Sequence, residues 1–475
     1  MSGTSTLLLP TRRRLALALA SLALPASARQ PVVNDASGMN PIPVERILAP
    51  RTLAQIVGAL RSHSSPVSIG GARYSSGGQI GADHSLHLDM RGFERVLRFV
   101  PGERAITVQP GITWRRIQAV IDPHDLALQV MQSYADFSVG GSLGVNAHGR
   151  YVGQGPLVSS VAAIRLLLAD GALVEASPIR NSELFHGAIG GYGGVGVIVE
   201  ATLKLTDNTP LLRRSHVMPL SAYRQFFETR IGADPDAVLH NATLYPDDYT
   251  LVRAVTFSRS RRALTQPRRL SATGGDYRVE RQLQALIADA PWGKELRRRI
   301  LDPLFYSTES VEWRNHQASL DIDSLAPLAG AGTAYALQEY FVPVEAMERF
   351  AGRLRAILRR HQVNVINVSI RHARKDPGTL LAWARDDVFA FVLYHRQHTA
   401  QRDRDAVRAW TRELIDAATS LRGSYYLPYQ IHATPEQFRA AYPGAGRFFA
   451  LKRRVDPMYR FRNRLWDAYA IQGAD

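Results

Sequence analysis

The chain has 475 residues, no cysteine and a formal net charge of +16. Its length predicts two or three domains with a substantial core, and the missing thiols exclude disulfides, thiolate metal sites, a cysteine nucleophile and a cysteinyl cofactor link. With 14 histidines but no paired spacing such as His-Glu-x-x-His, a metal site is not expected. The positive charge admits a nucleic acid, an anionic membrane surface or a solvated basic face as its explanation. No recognised nucleic-acid module accompanies it, so the first is set aside.

In chain order, Arg12, Arg13 and Arg14 precede an apolar run from Leu15 to Leu24, and Ala26-Ser27-Ala28 follows. The pattern predicts a secretory signal over residues 1–28, of the twin-arginine or the general Sec type, and a periplasmic protein. The run is too short to span a bilayer. Apolar spacing predicts a helix over Leu53–Ser62 and a strand at Val67–Ile69. That strand ends in Gly70 and Gly71, and four glycines fall within nine residues before Gln79. Such a loop can aim several backbone N–H groups at one phosphate. Strands are expected at Leu86–Met90, Val96–Val100 and Ala105–Gln109, with a helix at Trp114–Ile121. A second glycine loop covers Ser138–Gly149, and Val161–Leu168 with Leu173–Glu175 reads as a hairpin around Asp170-Gly171. A third glycine loop lies at Gly190–Gly196. Its Gly191-x-Gly193-x-x-Gly196 matches the Rossmann fingerprint by letter, but the β-branched Val197–Val199 predicts a following strand where that fold needs a helix.

Near Pro210 the glycine density falls and longer basic helical patterns begin. The expected organisation is residues 41–208 as one domain, 209–424 as a second built on an antiparallel sheet, and 425–475 as a returning segment. Candidate strands of the second domain are Ala334–Phe341, Asn364–Arg371 and Val388–Tyr394, with helices at Val344–Arg359 and Asp405–Thr419. Leu283–Leu301 mixes Leu, Ile and Trp with Lys294, Arg297, Arg298 and Arg299, the composition of a segment that touches an anionic membrane surface.

The order of the three glycine loops resembles the FAD-binding domain of vanillyl-alcohol-oxidase-type (PCMH-type) flavoproteins, well over residues 45–208 and moderately at the C-terminus. The resemblance implies an α+β fold: a PCMH-type FAD-binding domain with a second α+β substrate-binding (cap) domain. It implies cofactor-binding roles for Gly70, Gly71, Ala72, Arg73, Tyr74, Ser75, Gly78 and Gln79 in the first loop. In the second and third it implies them for Gly140, Gly141, Ser142, Gly144, Asn146, Gly149, Gly196 and Val197. Phe461-Arg462-Asn463 is similar to the family's C-terminal return to the flavin, which adds Asn463. Many members carry a histidine bonded to the flavin where this chain has Tyr74, so FAD is expected to be held non-covalently.

Within the family the chain is similar to the aldonolactone and alditol oxidase branch. That branch has a strand reading carboxylate-x-Arg that faces the flavin. Here the two positions are Ser369 and Arg371, on one face of a strand. Arg371 reads either as a charge-stabilising group or as a solvated strand arginine. The branch's His-x-x-Lys is replaced by Tyr426 and Tyr429, which could donate hydrogen bonds, serve as a base if their pKa were depressed, or only pack. His148 reads as a flavin or substrate contact or as a structural loop residue; His372 and His432 are weaker candidates. The implied activity is oxidation of a CH–OH group of a small substrate such as a sugar lactone or polyol, with O2, a quinone or a cytochrome as electron acceptor. The alternative is a flavin-binding accessory protein whose chemistry went with the missing carboxylate, histidine and lysine.

Overall fold

The computed structural model describes residues 30–246, 248–324 and 332–470; the expected signal lies outside them. The helix Leu53–Ser62 forms as predicted, closed at its start by a reciprocal cap between Thr52 and Gln55. It packs through Ile56 and Leu60 on a small parallel sheet of Arg46–Leu48, Leu86–Asp89 and Val67–Gly70. The β-branched strand therefore delivers the first glycine loop at its carboxyl end, the usual ligand-facing edge of parallel strands.

A second sheet is antiparallel. Its long central strand, Val197–Asp207, is flanked by the hairpin Val161–Leu167 and Leu173–Ala176 on one side and by Ala105–Val108 and Val96–Val100 on the other. The segment after Gly196 is thus a strand, as its β-branched residues required. The second glycine segment differs from the expected open loop. Val139–Gly144 is a short helix capped by Ser138, whose Oγ accepts from the Gly141 N–H. The Gly140 N–H goes to the Pro110 carbonyl.

From Pro210 the chain enters an eight-stranded sheet, antiparallel throughout. Thr333–Pro343, Val365–Ala373 and Val388–His398 are its strands in the predicted region. Helices Met347–Arg360 and Gln401–Thr419 pack on it through Phe350, Leu354, Trp410 and Leu414, all buried. The final strand, Ser424–Tyr425, lies at the sheet's edge.

The C-terminal segment does return to the glycine-loop region. Val67 and Phe461 form a bridge, Val67 N–H donates to the Arg460 carbonyl, and Arg462 N–H donates to the Val67 carbonyl. Lys452, one of the basic cluster at 452–454, is wholly buried. Its Nζ donates to the Gly194 carbonyl at 2.7 Å, the Phe461 carbonyl at 2.8 Å and Asp456 Oδ2 at 2.9 Å. That ammonium belongs to the fold's interior and not to a solvated basic face.

Candidate functional site

A cavity of about 760 Å³ lies between the glycine segments and one face of the eight-stranded sheet. The volume is in the range that holds a small-molecule ligand or cofactor. Gly71, Ala72, Arg73, Tyr74, Ser75 and Gln79 line it from the first loop. Gly140, Gly141, Ser142, Gly144 and His148 line it from the second segment, and Gly196 from the third. Ser369, Arg371, Tyr426 and Tyr429 line the opposite wall. The structure therefore brings eleven of the seventeen predicted cofactor residues and all five predicted chemical residues to a single space.

Six predicted residues stand off that lining and have protein partners. A Cβ on Gly70 would meet the His87 ring at 2.7 Å, and one on Gly149 would collide with the Met131 carbonyl. Gly78 donates its N–H to Asp35 Oδ2. The Asn146 amide binds Asp376 Oδ2 at 2.8 Å, with its oxygen on the Val158 N–H. Val197 is core. Asn463 caps the helix Arg464–Tyr469 and holds the Tyr192 carbonyl. These residues build the walls behind the cavity. His372 packs on Phe227, and His432 is buried with both ring nitrogens unpartnered; neither lines the cavity.

The first loop is stapled to the tyrosine segment. Gln79 Nε2 donates to the carbonyls of Leu427 at 2.6 Å and Tyr429 at 2.7 Å, and Ser76 N–H donates to the Pro428 carbonyl. The N–H groups of Arg73, Tyr74 and Ser75 have no acceptor among the described residues, the arrangement an anion-binding turn requires. Tyr74, where the related histidine would stand, lies edge-on to Phe137 at 4.5 Å and is about one-third exposed.

On the sheet, alternation puts Asn367, Ser369 and Arg371 toward the cavity, with Val368 and Ile370 buried behind. Arg371 Nε is buried without a hydrogen bond, and no ion-pair partner for Arg371 occurs among the described residues. A cation left open on a cavity wall is a ready partner for a negative ligand atom. Tyr426 donates to the Val145 carbonyl at 3.0 Å, and Tyr429 to Glu339 Oε2 at 3.2 Å. Burial first, then the nearby Glu339 charge, holds both phenols well above their ordinary range. They are hydrogen-bond donors here.

Sequence reasoning missed Glu339. The strand Thr333–Pro343 places it opposite Val392, which is itself opposite Ser369. Glu339 and Ser369 thus share one row, two strand spacings or about 10 Å apart. Glu339 Oε1 lies 2.6 Å from His148 Nε2, and both side chains are almost fully buried. His148 Nδ1 faces the Gly149 carbonyl at 3.1 Å, and its ring packs among Trp383, Phe341 and Tyr426. The only sequence signal was a carboxylate on the inward alternation of a predicted strand.

Residues 45–177 match the family described as FAD binding domain. Similar proteins include the L-gulonolactone oxidase of Mus musculus, 29% identical over 161 residues, which are 34% of this chain and 36% of that protein. The mitochondrial L-galactono-1,4-lactone dehydrogenase of Arabidopsis thaliana is 27% identical over 205 residues, 42% of this chain and 33% of that one. The alditol oxidase of Streptomyces sp. is 35% identical over 102 residues, 22% and 24% respectively. The chain spans about a third or less of the length of these curated relatives. The cavity fits the cofactor the match implies: it offers unengaged N–H groups at residues 73–75, an unpaired Arg371, and room above Gly144, where a Cβ would meet nothing within 4 Å. Residues 45–177 match an FAD-binding domain and are similar to parts of sugar-lactone and alditol oxidoreductases, which makes FAD the cofactor of this domain.

Proposed function

We propose that the protein is an FAD-dependent oxidoreductase that oxidises a CH–OH group of a small substrate such as a sugar lactone or polyol. The observation that carries this reading is the meeting of the glycine segments with Arg371, Tyr429 and Glu339 around one cavity. When bound, FAD supplies the hydride acceptor. Residues 73–75 and Gly144 would hold the dinucleotide, and Arg371 would stabilise negative charge at the reacting end, an effect typically worth about 3–4 kcal/mol. Tyr426 and Tyr429 present fixed donors, while the tyrosine-lined, mostly apolar walls limit water.

Tyr74 supports non-covalent retention, because it stands where the resembling proteins carry the linking histidine. Division at residues 208 and 424 is our domain reading, supported by the change from the glycine-rich sheets to the eight-stranded one. The basic, apolar start of the chain supports export to the periplasm, and O2, a quinone or a cytochrome would reoxidise the protein. Exposed Leu286, Trp292, Ile300, Leu304 and Phe305 beside Arg298 and Arg299 support peripheral contact with an anionic membrane; no described helix is long and apolar enough to cross one.

The reading is tested on purified protein under anaerobic conditions. The flavin absorbance is expected to bleach with at least one sugar lactone or polyol, and acid precipitation is expected to leave the flavin in solution. Flavin content with no bleaching across a broad CH–OH panel would favour the accessory-protein alternative.

A further inference from the structure

We infer that Glu339, held by His148, is the group that takes the substrate's hydroxyl proton, a carboxylate displaced by two strands from its place in the resembling proteins. The inference rests on the CH–OH reading above and assigns the one part of that reaction left to the protein. The O–H bond breaks and its proton passes to Glu339. The oxygen's electron pair becomes the second bond of the carbonyl as the hydride leaves the carbon for FAD.

The geometry fixes the proton inventory. A backbone carbonyl only accepts, so His148 Nδ1 must carry a hydrogen toward Gly149. At 2.6 Å, His148 Nε2 and Glu339 Oε1 must then share a proton, whichever atom holds it. Glu339 Oε1 is occupied by that bond. Oε2 is the remaining acceptor; it receives the Tyr429 hydroxyl at 3.2 Å and has lone-pair capacity left. Glu339 and Tyr429 both line the cavity; Glu339 lies in the row of the sheet that carries Ser369, and Arg371 lies two residues beyond Ser369 on its strand.

The other titratable groups around Glu339 are Tyr192, Tyr426, Tyr429 and Tyr442, buried or half-buried, with desolvation holding their phenols neutral. Arg371, two strands away in the same sheet, opposes the rise of the Tyr429 phenol that burial and Glu339 cause. His148 is therefore the only imidazole in this set, and it is a positioning residue: it orients the carboxylate and retains the shared proton while Oε2 works.

The test compares wild-type holoprotein with Glu339→Gln, reading FAD content, the pH profile of flavin reduction, its solvent isotope effect, and the ring-proton NMR of His148. Glu339→Gln is expected to keep FAD and to lose two to four decades in reduction rate, the range of a positioned general base. A far-downfield His148 proton seen in the wild type should vanish in it. Equal reduction rates and pH profiles for the two proteins would overturn the inference while leaving the CH–OH reading intact. If no CH–OH compound reduces the wild type, that reading falls and the proton-acceptor role falls with it. Should Glu339→Gln fail to fold, the wild type alone decides. The absence of a solvent isotope effect on flavin reduction, or of a downfield ring proton, would overturn the assignment.

Discussion

At the scale of single residues, the glycines separate into two kinds that their letters do not distinguish. Gly71 lines the cavity, yet a Cβ there would collide with Ser138 Oγ, the group that caps the helix Val139–Gly144 and accepts from the Ala72 N–H. Any side chain at Gly71 damages the protein before it meets a cofactor, so loss of FAD in a Gly71→Val variant would not by itself mark the pyrophosphate site. Gly144 is the cleaner probe, since a side chain there points into open space on the cavity wall. Gly144→Leu is expected to leave the circular dichroism of the apoprotein unchanged and to lower FAD retention at least tenfold. Wild-type FAD content in that variant would remove the Gly144 wall from the binding site. The three glycine runs were legible because close approach leaves so few residue choices. Glu339 was not, since its place beside His148 depends on register across strands far apart in sequence.

At the scale of elements, the third glycine run owes much of its composition to the C-terminal segment packed on it. A Cβ on Gly194 would meet Trp466 Nε1 at 2.7 Å, and the Gly194 carbonyl accepts from Lys452. The helix Ala445–Val455 thus docks by a buried ammonium with three acceptors, and Asp456 also accepts from the Phe461 and Arg460 N–H groups. Removing one member of such a pair strands the other charge, typically at a cost of about 3–5 kcal/mol. Lys452→Met should therefore lower stability by that amount in urea titration, and Lys452→Met with Asp456→Asn should recover part of it. No loss in the single variant would mean the segment is held by Phe448 and Trp466 alone. Sequence reading gave no sign that Lys452 is buried, because a run of three basic residues does not show which one turns inward.

At the scale of the whole molecule, the interior holds several neutral histidines. Burial lowers His87, His372 and His395 to about 4 and His240 and His432 to about 3, against roughly 6.5 in an unfolded chain. Between these values the unfolded state binds more protons, so stability is full above about pH 6.5 and falls as pH drops toward 4. The melting temperature is expected to decline steadily from pH 7 to pH 4.5; a flat profile would mean these rings are exposed to water. The same packing that keeps them neutral encloses the cavity between the FAD-binding domain and the eight-stranded sheet, on which the functional account depends. The most direct measurement is the electron density of the FAD-loaded protein. The account predicts the pyrophosphate on the N–H groups of residues 73–75 and the isoalloxazine ring facing Arg371, Tyr429 and Glu339. A ring bound elsewhere, or turned away from that face of the sheet, would contradict it.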